Sequence, residues 1–202
     1  MIKIGILAST KATDSQAIID SINAKKLNAE ISIFLSNKKD SYALKRARKH
    51  GINAVFVDAT GKDRVDYDKE VAAHLDKNKV DLILLIGYMR ILSPWFVRRY
   101  KGRIMNVHPS LLPAFSGGMD KGVHKEVLDY GCKVSGSTLH FVDESLDAGP
   151  IILQKSVEIL ETETVDSLKE KVQKAEQEII VKGIDLLIRG KLRIDGRKVR
   201  IA

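Results

Sequence analysis

Five histidines punctuate the chain: His50, His74, His108, His124 and His140. His74 falls inside a helical pattern and His50 at a helix end, where structural or solvated roles suffice. His108 differs. It follows the apolar run Ile104–Val107 in the segment Asn106-Val107-His108-Pro109-Ser110-Leu111-Leu112-Pro113. In open parallel sheets, ligands bind outside the carboxyl ends of the strands, and two prolines there fix a loop. An amide and an imidazole at such a strand end either donate to a developing negative charge or satisfy the loop's own backbone. A second segment, Asp143-Glu144-Ser145-Leu146-Asp147-Ala148-Gly149-Pro150, brings three carboxylates into a Gly/Pro-terminated turn. A carboxylate beside an imidazole favours its charged form and fixes its tautomer. Taken alone, the same segment also reads as a solvated acidic turn. Metal chemistry is not expected, since no HExxH, paired cysteines or His-x-His spacing occurs. The single cysteine, Cys132, permits no internal disulfide and reads as structural rather than as a nucleophile.

Strand and helix patterns alternate through the first half and would position these residues. Ile2–Leu7, Glu30–Leu35, Ala54–Val57, Leu82–Ile86 and Ile104–Val107 read as buried strands. Between them, Asp14 or Ser15 caps a helix facing inward through Ile18, Ile19 and Ile22. Tyr42–Lys49 is helical up to Gly51, Asp66–Asp76 forms another helix, and Ser93-Pro94 opens a short one. This rhythm predicts an α/β, Rossmann-like fold: a mostly parallel central sheet with helices on both faces. From residue 133 the pattern changes to two strands, Val134–Val142 and Ile151–Ile159. A long helix capped by Thr164 follows, then a hairpin with Asp195-Gly196 as its turn pair. The expectation is one domain over 1–202, with a Rossmann-like half at about 1–110. Loops and a small C-terminal β/helix extension fill about 111–202.

Length and composition narrow the function classes. Two hundred and two residues, 44% hydrophobic and 30% charged, describe an ordinary globular chain rather than a disordered or disulfide-stapled one. The longest aliphatic run, Leu82–Ile86, is far short of the ~20 residues of a membrane span. The start, Met-Ile-Lys-Ile-Gly-Ile, reads as a strand and not a signal peptide. A reducing cytoplasm is the expected location. Thirty-four basic against twenty-six acidic residues give +8. Six basic groups and one acid lie between Arg189 and Ala202, so that segment carries +5. Few aromatics accompany it, which favours a solvated basic end over nucleic-acid binding.

Three segments together, Gly87-Tyr88-Met89-Arg90-Ile91-Leu92-Ser93-Pro94, Asn106 through Pro113, and His140-Phe141-Val142 through Asp147-Ala148-Gly149-Pro150, closely resemble the glycinamide ribonucleotide formyltransferase family. The likeness runs over nearly the whole chain. Methionyl-tRNA formyltransferase and formyltetrahydrofolate deformylase share the Ser-Leu-Leu-Pro loop. They add a further domain, for which this length leaves no room.

The resemblance implies formyl transfer from 10-formyltetrahydrofolate, a cosubstrate, to the amine of 5-phosphoribosylglycinamide in de novo purine synthesis, without a metal. Asn106, His108 and Asp147 fall on the family's catalytic trio. Met89, Arg90, Ile91 and Leu92 fall on its pterin-binding segment, and Arg64 on a further folate contact. Phe141 and Val142 begin the loop, ending at Asp147, that closes over the pterin. Gln173 and Glu176 match positions holding the nucleotide. The family's first loop is usually Ser-Gly-Asn-Gly-Ser-Asn, a phosphate cradle at a helix start. This chain has Ala8-Ser9-Thr10-Lys11-Ala12-Thr13-Asp14 instead. Lys11, Ala12, Thr13 and Asp14 are the expected phosphate site, through the Thr10 and Thr13 hydroxyls, the Ala12 and Thr13 amides and the Lys11 ammonium. The loop Ser116-Gly117-Gly118-Met119-Asp120-Lys121-Gly122 is longer than the common form. The same trio could instead serve another amine or hydrolyse the formyl group with water. A non-enzymatic folate- or nucleotide-binding protein is the remaining alternative.

Overall fold

The structure, a computed structural model, describes residues 1–118 and 121–202. Met119 and Asp120, in the loop expected to be long, lie outside the described residues. The chain divides into two compact units, Met1–Asn106 and Val107–Ala202.

The first unit alternates strand and helix: β1 (Ile2–Leu7), α1 (Ser15–Asn23), β2 (Ala29–Ser36), α2 (Tyr42–Lys49), β3 (Ala54–Phe56), α3 (Arg64–Lys77), β4 (Leu82–Leu85), α4 (Pro94–Arg99) and β5, which begins at Ile104. The strands pair in parallel in the order β3-β2-β1-β4-β5. Continuous aliphatic strands are what a sheet buried on both faces requires. Ile4, Ile6 and Leu7 in β1 and all of Leu82–Leu84 are fully or almost fully buried. Chain order runs outward from β1 in one direction through β2 and β3, and from β4 in the other. The reversal opens a crevice beyond the carboxyl ends of β1 and β4, where such sheets bind ligands.

Helix ends follow side-chain chemistry. Ser41, Asp63 and Ser93 each accept a hydrogen bond from the amide three residues on, opening α2, α3 and α4. The first helix departs from expectation. Asp14 is itself helical in φ and ψ and its carboxylate makes no capping bond. That backbone geometry turns the side chain away from the helix amides, which an N-cap reaches from an extended conformation. Ser15 instead donates its hydroxyl to the Ala12 carbonyl at 2.6 Å.

In the second unit, α5 (Lys121–Asp129), β6 (Val134–Phe141), β7 (Ile151–Glu158), α6 (Val165–Ile188), β8 (Leu192–Asp195) and β9 (Lys198–Ile201) follow the end of β5 at His108. Strands β6 and β7 are antiparallel, β7 and β9 pair in parallel, and β8 and β9 form the terminal hairpin. Thr164 opens α6 with a reciprocal cap: its hydroxyl accepts from the Ser167 amide, and Ser167 accepts from the Thr164 amide. Val123 and Val127 of α5 pack with Leu168 and Val172 of α6 into one buried cluster. Cys132 is half-buried against that cluster. The hairpin turn lies one residue later than expected. Asp195 pairs with Lys198, so the two loop residues are Gly196 and Arg197. Positive φ occurs at Gly196 (59°) and not at Arg197, which is the II′ rather than the I′ pattern.

Candidate functional site

At the crevice of the first unit, the loop after β1 and the loop after β4 are tied together. The Ser9 amide donates to the Gly87 carbonyl at 2.9 Å. The Ser9 hydroxyl donates to Asn37 Oδ1 at 2.7 Å and accepts from the Met89 amide at 2.8 Å. Gly87 is required here. Its φ is +60°, and a Cβ would lie 2.3 Å from Thr10 Oγ1. The segment that follows presents Met89 and Ile91 to solvent while Leu92 is buried. Arg90 lies with its guanidinium 4.2 Å from the Tyr67 ring centroid, a cation–π contact that fixes its direction. The Ser93 amide donates to Asp68 Oδ2 at 2.6 Å. Burial pushes the Asp68 carboxyl above its ordinary range, opposed by the Ser93 hydrogen bonds and the charges of Arg90 and Arg64.

The first loop itself is polar and tightly turned. Ala12 adopts φ +45°, a left-handed conformation that costs an L-residue about 1–2 kcal/mol. Arg46 braces the turn from α2, donating to the Lys11 carbonyl at 3.4 Å and to Gln16 Oε1 at 2.7 Å. Lys11 is exposed, Thr13 half-buried, and Ala12 and Asp14 buried. Arg64, in the first turn of α3, is exposed. Asn106 ends this unit, half-buried and in register with Leu85.

The second unit holds the ionisable cluster. His108 is 3% exposed. Its Nδ1 lies 3.4 Å from Asp147 Oδ2, and its Nε2 lies 3.0 Å from the Phe115 carbonyl. A carbonyl only accepts, so Nε2 carries a hydrogen. Nδ1 then faces the carboxylate, so the ring is held between a carbonyl on one side and Asp147 on the other. Asp147 also accepts from the Gly117 amide at 2.9 Å. It adopts φ +49°, a left-handed conformation that Asp and Asn tolerate better than most residues. The loop is pinched shut behind it. A Cβ on Gly149 would meet the Phe141 carbonyl oxygen at 1.8 Å, so only glycine fits.

On the far side of Asp147 stands His140, 2% exposed, with Nε2 3.8 Å from Oδ1 and Nδ1 donating to the Phe141 carbonyl at 2.9 Å. Burial pushes the His140 imidazole below its ordinary value of 6.5, outweighing the Phe141 hydrogen bond and the Asp147 charge that oppose it. The neutral ring is therefore the folded form near pH 7. A depressed pKa in the folded state means that the unfolded chain binds the proton first. The stabilisation is fully present above about 6.5 and is lost as pH falls towards the folded value. Denaturant unfolding from pH 8 to 5 is expected to show wild-type stability falling more steeply below pH 6.5 than that of His140→Gln. Parallel curves would contradict it.

A model of the family described as formyl transferase matches residues 2–184. The chain belongs to the formyl transferase family. It is 35% identical to the phosphoribosylglycinamide formyltransferase of Haemophilus influenzae over 96% of this chain and 91% of that protein. A crystal structure of glycinamide ribonucleotide transformylase 1 from Symbiobacterium toebii superimposes with a TM-score of 0.95 at 39% identity, covering 100% of this chain and 94% of that one. The trifunctional purine biosynthetic protein adenosine-3 of Bos taurus is 39% identical over 95% of this chain, which spans only 19% of that protein's length. The mostly parallel Rossmann-like architecture expected from the sequence is that of the formyl transferases.

Seen as a formyl transferase, the chain distributes its expected site residues unevenly. The structure joins His108 to Asp147, and the Lys11–Asp14 loop to the Met89 segment through Ser9. Gln173 and Glu176 lie three residues apart and half-buried on α6, one face of one turn. Phe141 is 3% exposed and Val142 half-buried, so the Phe141 ring belongs to the core and not to an open lid. Sequence reasoning left three participants without a role. His140 alternates with Thr138 along β6, a period-two signal that could have marked it. The Phe115 carbonyl and the Gly117 amide are backbone groups and carry no such signal. Among the described residues, no helix is long and apolar enough to cross a membrane, and no group of three or more His, Cys, Asp or Glu could hold a metal ion.

Proposed function

We propose that this chain transfers the formyl group of 10-formyltetrahydrofolate to the amine of 5-phosphoribosylglycinamide, a step of de novo purine synthesis towards IMP, in the cytoplasm. The observation that carries this reading is the buried contact between His108 and Asp147 at the end of β5. The amine lone pair attacks the formyl carbon, a C–N bond forms, and the carbonyl oxygen becomes an oxyanion. Collapse breaks the bond from that carbon to the folate nitrogen; the attacking nitrogen loses a proton and the folate nitrogen gains one. Asn106 donates its amide hydrogen to the oxyanion, a contact typically worth ~3 kcal/mol. Both ring nitrogens of His108 face acceptors already, so His108 acts through its positive charge, with Asp147 as counter-ion. No covalent enzyme intermediate is needed.

The donor's pterin is assigned to Met89–Leu92 and the loop from Phe141 to Asp147, with Arg64 as a further contact to the folate. Exposed Met89 and Ile91 supply apolar surface to the ring. The acceptor's phosphate is assigned to Lys11–Asp14 at the start of α1, and its nucleotide body to Gln173 and Glu176. The family match crosses the boundary between the units, which supports one catalytic domain over 1–202. Neither nucleic acid nor a membrane takes part. The test is incubation with 10-formyltetrahydrofolate and a panel of amines, following tetrahydrofolate release. Release that depends on phosphoribosylglycinamide is the expected result. Equal release without any amine would favour hydrolysis, and release with a different amine would reassign the acceptor.

Lys11 offers a second check. Exposure screens its charge, so its contact with a phosphate is placed at the weak end of charge-assisted bonds, about 1.4 kcal/mol. Lys11→Ala is expected to raise the KM for phosphoribosylglycinamide roughly tenfold and to leave donor affinity unchanged. Equal titration curves for the acceptor with wild type and variant would remove Lys11 from the phosphate site.

A further inference from the structure

We infer that Phe115 is a positioning residue for His108, setting the direction of the imidazole through its backbone carbonyl. The inference deepens the formyl-transfer reading and rests on it. His108 Nε2 lies 3.0 Å from the Phe115 carbonyl oxygen, and this contact directs Nδ1 towards Asp147. Phe115 itself adopts φ +55°, a conformation disfavoured for a bulky L-residue. Such an outlier persists only where its surroundings hold it.

Two sets of contacts hold it. The Phe115 ring meets the Tyr130 ring edge-on, with centroids 6.2 Å apart, and packs against the buried Val123, Val127, Leu168 and Val172 cluster. On its N-terminal side the loop is pinned through one hydroxyl. Thr138 Oγ1 donates to the Ser110 carbonyl at 2.7 Å and accepts from the Leu112 amide and from Gln154 Nε2, each at 3.0 Å. Ser110 in turn donates to the Ala114 carbonyl at 2.6 Å. An apolar anchor on one side and a hydroxyl clasp on the other thus fix one carbonyl against one imidazole nitrogen. Asp147 faces the ring at Nδ1 and His140 stands on the far side of that carboxylate, so neither replaces the contact at Nε2.

Two variants and one conservative control test this on the full chain. Phe115→Gly tolerates the left-handed backbone but removes the ring that anchors it. Tyr130→Ala removes the exposed partner ring and keeps the Phe115 side chain itself. Phe115→Tyr keeps the anchor. Positional accuracy of this kind is worth up to about a hundredfold in rate. Phe115→Gly is expected to lower kcat at least tenfold with both KM values within twofold, and Tyr130→Ala to lower it less. Phe115→Tyr is expected to retain wild-type kcat. Nitrogen-15 resonances of the His108 ring are expected to move at Nε2 in the first two variants and stay in place in the third. Wild-type kcat in Phe115→Gly, or a lowered kcat with an unmoved Nε2 resonance, would overturn the inference. The ring resonances need no substrate. An enzyme inactive on every amine would therefore overturn the formyl-transfer reading, while the resonances still decide whether Phe115 positions His108.

Discussion

Replacing His108 with alanine is expected to lower kcat by about 10²–10³ while leaving the Kd for 10-formyltetrahydrofolate within a few-fold of wild type. The size follows from the role. A buried positive charge that meets the oxyanion acts on charge that develops only in the transition state, so its loss appears in kcat rather than in ground-state binding. Burial strengthens that interaction, because little water screens a ring that is 3% exposed. The donor segment Met89–Leu92 is built on other contacts, through Ser9, Asp68 and Tyr67, and does not depend on the imidazole. Single-turnover rates and equilibrium titration with the folate, measured on the same preparation, check both halves. A fall of less than tenfold in rate would contradict the assignment.

Asp147→Asn is expected to lower kcat by about a hundredfold, with the fold retained. Asparagine is nearly isosteric and tolerates the φ of +49° as aspartate does. Its carbonyl oxygen can still accept from the Gly117 amide, so the loop keeps its closure. What it lacks is the negative charge facing His108 Nδ1 at 3.4 Å. Hydrogen bonds and contacts to charged partners are worth ~1.5–3 kcal/mol, which brackets a hundredfold loss. Steady-state kinetics together with a thermal melt decide it. Wild-type kcat in a folded Asp147→Asn would mean that Asp147 does not support the charge on His108.

The parallel half was readable because each strand is a short aliphatic block punctuated by a turn or cap. The expected and observed limits of β1 and α2 coincide. Ser93-Pro94 opened a helix as expected, since serine caps it and proline suits its first position. The misplaced turn at Asp195-Gly196 has a plain cause. Asp-Gly is a strong local signal for I′ turns, but the pairing of Asp195 with Lys198 set the register and moved the glycine to the first loop position. The α5 helix went unassigned because Gly122 and the preceding loop obscure the spacing of Val123 and Val127. At the site, the residue types told of a histidine at a strand end and a carboxylate in a second loop. Their pairing is what the structure supplies. The Phe115 carbonyl and Gly117 amide that orient them were not readable, because every residue carries such groups and only tertiary structure selects which ones are used. Ala12 was opaque for a related reason: a left-handed φ is expected of glycine, and here Arg46 and Ser15 brace an alanine into it.

The central claim, direct transfer of a formyl group to a phosphoribosyl amine, is tested most directly by following the carbon itself. With 10-formyltetrahydrofolate labelled with carbon-13 in the formyl group and phosphoribosylglycinamide in excess, carbon NMR reads where the label goes. The account predicts that the label appears in the formamide of the phosphoribosyl product, in step with tetrahydrofolate release. Label recovered as free formate at the same rate with or without the amine would contradict it.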